Sequence, residues 1–360
     1  MWNKTVATKL LKIQYPIVQG PFGGRFSSVK LLSAVSNGGG LGSFGLNAYR
    51  PEEILEVGRQ IKAATHNPYN LNLWIPLKND PVREFGVLEH ERWKKAYAPH
   101  FQKMDLPLPA LPEAKKPVFD EQLAAVLTVS PPAISFIFGI PSPEVIKEIK
   151  QSGTVIIVAA TTVEEALLIN ETDIDLILAT GKEAGGHRPS FLEAPEHSLR
   201  STKELVIAVL KKVRKPVIAA GGIANGQHVL EYLKMGVAAA QLGTAFLATD
   251  ESGATNEHKN RLHAADSYAT ELTRAFSGRL ARTLSNTFFV PQHSTGGPVY
   301  APYPLQGQLL GKLMDGYKEA KMTDKVAFWA GEPSSILNQR SAGALLRSIV
   351  NEVEELKSFN

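Results

Sequence analysis

Short apolar runs rich in β-branched residues recur along the chain. Each is closed by glycine or a polar residue and followed by a stretch with helical spacing. That alternation predicts a parallel sheet with crossover helices. Strand ends fall at Gly20, after Tyr15-Pro16-Ile17-Val18-Gln19, at Gly45, after Leu41-Gly42-Ser43-Phe44, and at Asn72, after Tyr69-Asn70-Leu71. Three more fall at Gly139, Ala160 and Thr180, after the runs that begin at Ile134, Val155 and Ile174. The last two are Gly221, after Pro216 to Ala220, and Gly243, after Ala238 to Leu242.

Helix starts punctuate the intervals. Ser142-Pro143-Glu144 opens one, with Val145, Ile146 and Ile149 on a single face. Ser201 and Glu204 have capping-box spacing ahead of Leu205, Val209, Leu210 and Val213, and Asn225 can cap the helix carrying Val229, Leu230 and Leu233. Eight strand–helix units suggest a closed (β/α)8 barrel more than an open sheet, because eight is the number that closes.

Two units are stretched. Residues 78–120, rich in proline, charge and aromatics, read as an excursion over the barrel mouth, and residues 181–199 are too polar and glycine-rich for a helix. Loops of that length in a compact barrel are usually functional. From residue 250 the pattern changes. Asn256 to Thr273 and Ser277 to Asn286 read as polar helical stretches, and Thr287-Phe288-Phe289-Val290 reads as a strand before a Gly296-Gly297-Pro298 turn. Residues 305–357 look helical again. The expected organisation is α/β: a (β/α)8 TIM barrel of residues 1–249 and 304–360, with a small second α+β domain at 250–303.

Composition narrows the classes. At 360 residues, with 44% hydrophobic and 21% charged content, the chain is long enough for a large core and ordinary for a globular protein. A net charge of +4 requires neither nucleic acid nor an anionic membrane as partner, though it suits a phosphate-bearing ligand. With no cysteine, thiolate metal sites, disulfides and a cysteine nucleophile are excluded. The amino terminus has no continuous apolar stretch and no run of about 18 apolar residues occurs, so the expected location is cytoplasmic.

A barrel of this kind works at the carboxyl ends of its strands. Gly221-Gly222 after the seventh and Gly243-Thr244 after the eighth are placed to cup a phosphate with backbone N–H groups, the Thr244 hydroxyl adding a donor. Tight-turn glycines alone would look the same; the pair at these two strands favours the phosphate. Gly20-Pro21-Phe22-Gly23-Gly24 and Gly38-Gly39-Gly40 lack a dinucleotide fingerprint and fit close passage of backbone beside a flat ligand. Asn72 offers a donor and an acceptor suited to a flavin edge, although turn-forming asparagines are commoner.

His187 is the strongest catalytic candidate. It follows Gly185-Gly186 in a glycine-rich, mobile-looking loop above the predicted mouth, and imidazole exchanges protons nearest neutral pH. It suits either abstraction of a proton from a carbon acid or orientation of an anion. His197 has no comparable context, His258 and His263 have the wrong spacing for a zinc pair, and neither H-E-x-x-H nor G-x-S-x-G occurs, so no metal is expected.

These motifs resemble the nitronate monooxygenase family, formerly 2-nitropropane dioxygenases. The resemblance runs through Gln19 to Gly23, Asn72, Ser135-Phe136-Ile137-Phe138-Gly139-Ile140-Pro141, Glu183 to Arg188, Pro216 to Ile223 and Gln241 to Leu247. The long third insertion and the Ser-Phe-x-Phe-Gly-x-Pro strand look like the larger, monooxygenase branch. It implies non-covalent FMN and oxidation of alkyl nitronates such as propionate 3-nitronate by O2, giving a carbonyl compound and nitrite. Carried over by position, Asn72, Thr180, Gly185, Gly222, Gln241, Leu242, Gly243 and Thr244 would contact FMN, and His187 would be the catalytic histidine. Two residues depart from the family pattern. Thr180 replaces the usual glutamine, which would remove a side-chain bond to the flavin or pass it to the backbone, and Arg188-Pro189 replaces Arg-Gly, which should stiffen the loop.

Two other readings compete. An NAD(P)H-dependent quinone reductase or an FMN-dependent enoyl-acyl-carrier-protein reductase would share the barrel and the Gly-Gly-His loop. A non-redox sugar-phosphate isomerase would keep the phosphate cup without flavin. The fold cannot choose among them.

Overall fold

The computed structural model describes residues 1–77, 85–112, 118–264, 269–288, 290–292, 297–332 and 337–358. Parts of the 78–120 excursion, and Phe289 and Gly296, therefore lie outside the described residues.

The eight expected barrel strands all form. They are β1 (Ile17–Gln19), β2 (Gly42–Gly45), β3 (Tyr69–Trp74), β4 (Ala133–Ile137), β5 (Val155–Ala160) and β6 (Leu176–Thr180), then, after a two-residue β7 (Gly186–His187) outside the barrel, β8 (Val217–Ala220) and β9 (Ala239–Leu242). The parallel order is β1-β9-β8-β6-β5-β4-β3-β2. A parallel bridge between Val18 and Leu41 closes the ring, with Leu41 N donating to Ile17 O and Gln19 N to Leu41 O, each at 2.9 Å. β3 runs two residues past Asn72, to Trp74, because Leu73 stays in the outer core while Trp74 turns toward the mouth.

Period-two alternation along the strands builds two separate cores. Outward residues such as Ile134, Val158, Ile177 and Val217 pack under the surrounding helices. Inward residues such as Ile157, Leu176 and Ile218 meet Ala7, Leu11 and Ile13, so the Val6–Leu11 helix closes the amino-terminal end of the barrel. The cavity is thereby confined to the opposite end. The expected helix starts hold: Ser142 Oγ accepts from Val145 N, Ser201 and Glu204 form a capping box, and Asn225 caps Gly226–Met235.

Beyond the barrel the sequence reading needs correction. Among the described residues of 256–273 only Asn256–His263 is helical, and the 277–286 stretch is not a helix. Instead β10 (Thr270–Thr273) and β11 (Ala281–Leu284) form an antiparallel pair. Gly278 explains the failure: it has φ +85°, and a Cβ there would meet the Ala301 carbonyl oxygen at 2.4 Å, so the chain turns where a helix would continue. Thr287 and Phe288 form no strand; Phe288 is buried in a second core with Trp93, Tyr97, Phe276, Leu309 and Tyr317. Residues 305–357 are likewise broken, into Leu305–Glu319 and Ala342–Ser358, and between them a strap of residues 326–332 passes the barrel mouth. Among the described residues, no helix is long and apolar enough to cross a membrane.

Candidate active site

The carboxyl ends of the barrel strands open into a cavity of ≈ 380 Å3. Register levels its floor: Asn72 sits opposite Ser135, Thr180 opposite Ala220, and Ala220 opposite Gln241. The floor carries a polar layer. Asn72 Nδ2 donates to Ser135 Oγ at 3.0 Å and to its carbonyl at 3.1 Å, while Asn70 Nδ2 reaches the same hydroxyl at 2.9 Å. Gln19 Oε1 accepts from Ser43 N at 2.8 Å. Asn47 also lines the cavity, and its buried Oδ1 has no hydrogen-bond partner among the described residues. A buried acceptor without a donor is costly, so this atom marks a place where a ligand N–H would fit.

The glycine turns form one wall. Gly221 and Gly222 have φ +117° and +68°, and a Cβ on Gly222 would press on the Glu183 side chain at 3.3 Å. At Gly243 a Cβ would meet nothing within 4 Å, so the space in front of its backbone is open to the cavity. The Thr244 hydroxyl accepts from Gly331 N at 2.8 Å, which leaves its own proton to donate. Leu242, in contrast, is fully buried in the outer core and its carbonyl accepts from Gly20 N at 2.8 Å. Alternation puts the Gln241 side chain inside and that of Leu242 outside, so Leu242 faces the cavity with its backbone at most.

His187 lies on a strand and not in a loop. It belongs to β7, which pairs antiparallel with β11 through His187 opposite Ala281 and Gly186 opposite Arg282. Its ring lies among Trp74, Tyr303 and Trp329, with centroid distances of 5.2, 5.8 and 5.4 Å. Nε2 is 2.9 Å from Ser277 Oγ, and no hydrogen bond of Nδ1 occurs among the described residues. The ring keeps some surface toward the cavity while dense protein surrounds it elsewhere. That burial, helped by the positive charge of Arg279, pushes its pKa down to about 3.

The segment leading to His187 is clamped by buried charge. Arg188 is 5% exposed and donates to the Thr180 and Gly181 carbonyls at 2.7 Å each, to Thr161 O at 3.3 Å, and to both Ser198 Oγ and Ser198 O. Burial lowers its pKa to about 10, opposed by Glu165 and Glu183. Thr180 lines the cavity, but its hydroxyl makes only a 3.4 Å contact with Leu178 O, so the clamp holds its carbonyl and leaves the short side chain to the cavity wall. Glu183 accepts from Thr202 N and Oγ1 at 2.8 and 2.7 Å. Gly185 is forced to be glycine by the strap, since a Cβ would lie 2.5 Å from the Ala330 carbonyl carbon.

Several site residues escaped the sequence reading. Trp329 to Glu332 come from the strap, tied down by Glu332 N donating to Glu183 O at 2.8 Å and by the 2.9 Å Arg282–Glu332 ion pair. Tyr303, Ser277 and Arg279 come from segments with no local motif. Phe138 sits at φ +68°, a conformation that costs a bulky residue about 1–3 kcal/mol, and this turns its ring against Trp74 at 5.1 Å. That strained placement is invisible in the strand pattern.

Comparison with known proteins gives a consistent answer. The family model described as nitronate monooxygenase matches residues 4–352. A probable nitronate monooxygenase of Staphylococcus aureus (strain Newman) is 30% identical over 361 residues, covering 100% of both chains. The crystal structure of a nitroalkane oxidase from Streptomyces ansochromogenes is 31% identical with a TM-score of 0.85, covering 98% of this chain and 99% of that one. FabK from Thermotoga maritima shares the fold at 23% identity, with a TM-score of 0.70 over 99% of this chain and 97% of that one. With the closed barrel and the Gly-Gly-His segment at its mouth, the chain belongs to the nitronate monooxygenase family, a family of flavin-dependent oxidoreductases.

Proposed function

We propose that this chain binds FMN in the cavity and oxidises alkyl nitronates of the propionate 3-nitronate type with O2, giving a carbonyl compound and nitrite. The open backbone at Gly222 and Gly243, the Thr244 hydroxyl and the orphaned Asn47 Oδ1 fit a ligand with a phosphate at one end and a hydrogen-bonding heterocycle at the other. Asn72, Thr180, Gly185 and Gln241 would border the heterocycle, with Gly222, Gly243 and Thr244 at the phosphate. Bound FMN supplies the electron acceptor for the nitronate and the route from it to O2.

The observation that carries the substrate class is the setting of His187, packed among Trp74, Tyr303 and Trp329 with Nε2 on Ser277 Oγ, which disfavours a charged imidazole. A group with a pKa near 3 is a poor base for a carbon acid at neutral pH, because general-base efficiency follows basicity. It is better suited to a substrate that arrives already deprotonated. An anion at Nδ1 selects the tautomer in which Nδ1 carries the proton and donates it as a hydrogen bond, with Ser277 Oγ donating to Nε2. Trp74, Tyr303 and Trp329 exclude water around that contact, which strengthens it.

Oxygen consumption by the FMN-loaded protein tests this reading, with propionate 3-nitronate and with neutral 3-nitropropionate ester as substrates. Turnover of the nitronate, little turnover of the neutral compound, and a loss of about tenfold or more in His187→Asn are expected. No nitronate turnover, or rapid anaerobic bleaching of the flavin by NADH or NADPH, would overturn it in favour of a reductase.

A further inference from the structure

The chain has four tryptophans, and their indole N–H groups divide into two pairs. Trp2 donates to Glu354 Oε1, and Trp93 donates to Gln306 Oε1 at 3.0 Å. Trp74 and Trp329, the two that line the cavity, donate to no group among the described residues. An indole N–H can only donate, and when it is buried it usually finds an acceptor. At a cavity wall, an uncommitted one is a place for a ligand's acceptor.

The two are not equivalent. In Trp74 the Cζ2 atom, next to the N–H edge, lies 3.2 Å from where a Cβ on Gly23 would stand, so that edge is turned toward the loop after β1. Trp329 instead shares a strand edge with His187. His187 lies opposite Ala281 of β11, and a β-bridge puts Trp329 opposite Thr283. Ala281 and Thr283 are two residues apart, so both partners project from the same face of the sheet. Their rings stand 5.4 Å apart between centroids. The backbone around Trp329 is held in place, with its carbonyl 3.0 Å from His258 Nε2 and Gly331 N donating to Thr244 Oγ1 at 2.8 Å.

We infer that Trp329 is a second substrate-binding donor, its indole N–H taking one oxygen of the planar nitronate group while His187 takes the other. The inference rests on the nitronate reading for its substrate, and it deepens that reading. A nitronate spreads one negative charge over two oxygens. A single neutral donor would leave one of those oxygens without a partner, whereas two donors on one sheet face satisfy both.

Two measurements on the FMN-loaded protein test it, each on wild type, on Trp329→Phe and on protein carrying 3-benzothienylalanine at position 329. That last side chain keeps the bicyclic ring and has sulfur in place of the N–H. In the first measurement nitrate, a planar oxyanion with no oxidisable carbon, is titrated and its binding is read by the change in flavin absorbance. Both replacements should weaken nitrate binding by about tenfold or more, the scale of one hydrogen bond to a charged group. Wild-type affinity in the 3-benzothienylalanine protein overturns the inference whatever Trp329→Phe does, because the ring and not its N–H would then be what matters. A wild type that binds no nitrate overturns it as well. In the second measurement kcat/KM for propionate 3-nitronate should fall by a similar factor in both replacements, and an unchanged value overturns the donor role. The nitrate result needs no turnover, so a chain that oxidised no nitronate yet lost nitrate affinity in both replacements would refute the function and keep the donor. If Trp329→Phe does not fold, the 3-benzothienylalanine protein carries both comparisons.

Discussion

Ser277 and His187, ninety residues apart in the chain, meet at 2.9 Å between Oγ and Nε2. The pairing of β7 with β11 brings them together, since His187 lies opposite Ala281 on the strand that follows the Ser277 turn. Ser277 Oγ also accepts from Arg279 N at 3.3 Å, so its position is set by the same turn that places the arginine.

The contact makes Ser277 a positioning residue for the imidazole. Ser277→Ala should lower kcat/KM for a nitronate by about three- to tenfold, the worth of one hydrogen bond, without changing FMN content. Steady-state kinetics beside flavin absorbance check this, and a variant with wild-type kcat/KM would show that the ring is held by its aromatic neighbours alone.

The low pKa of His187 predicts an acid-side loss of stability. An unfolded histidine binds its proton near pH 6.5, but the folded group resists until about pH 3, so the unfolded state binds more protons in between. His258, lowered to about 4 chiefly by burial, acts in the same direction. Stability should therefore be undiminished above pH 6.5 and fall as pH drops toward 4. Thermal unfolding as a function of pH should show a shallower slope in His258→Gln than in wild type.

Gly243 separates ligand fit from folding. A Cβ there strikes no protein atom, so Gly243→Val should leave the melting temperature of the flavin-free protein within a few degrees of wild type. Filling the cradle should weaken FMN binding by about tenfold or more, the scale of an overpacked contact. Fluorescence titration with FMN reads this directly. Gly181→Ala is the contrasting case, because its Cβ would lie 2.0 Å from Thr202 Oγ1 and the fold itself should suffer.

Arg188 should be a stability residue that acts on the site at a distance. Arg188→Met takes a donor from the buried carbonyls of Thr161, Thr180, Gly181 and Ser198, of which Gly181 O keeps only Ala184 N, at a cost of about 3 kcal/mol or more. Denaturant unfolding should show that loss, and Arg188→Lys should not restore it, since one ammonium cannot reproduce the planar fork.

The barrel was legible because its signals are local. Ile156 to Ala160 or Val217 to Ala220 is an apolar run that must be buried on both faces, and Ser142, Ser201 and Asn225 are helix caps whose effect stays within one turn. The glycine turns were legible for a related reason, as they close those strands. The region after residue 250 was not. There Arg279 to Arg282 favours helix by composition, but Gly278 and the pairing with β7 impose a turn and a strand.

Eight apolar strands, their caps and a glycine-rich set of strand ends can be read along the chain, because hydrophobic period and backbone freedom are properties of neighbouring residues. His187 also stands out there by its context. What surrounds that histidine emerges only in the folded chain: Trp74 from β3, Ser277 and Arg279 from the 274–279 turn, Tyr303, and Trp329 from the strap. Those residues carry no pattern in common. Their convergence, and with it the neutral state of the imidazole, follows from desolvation and charge in three dimensions, which no spacing along the chain encodes.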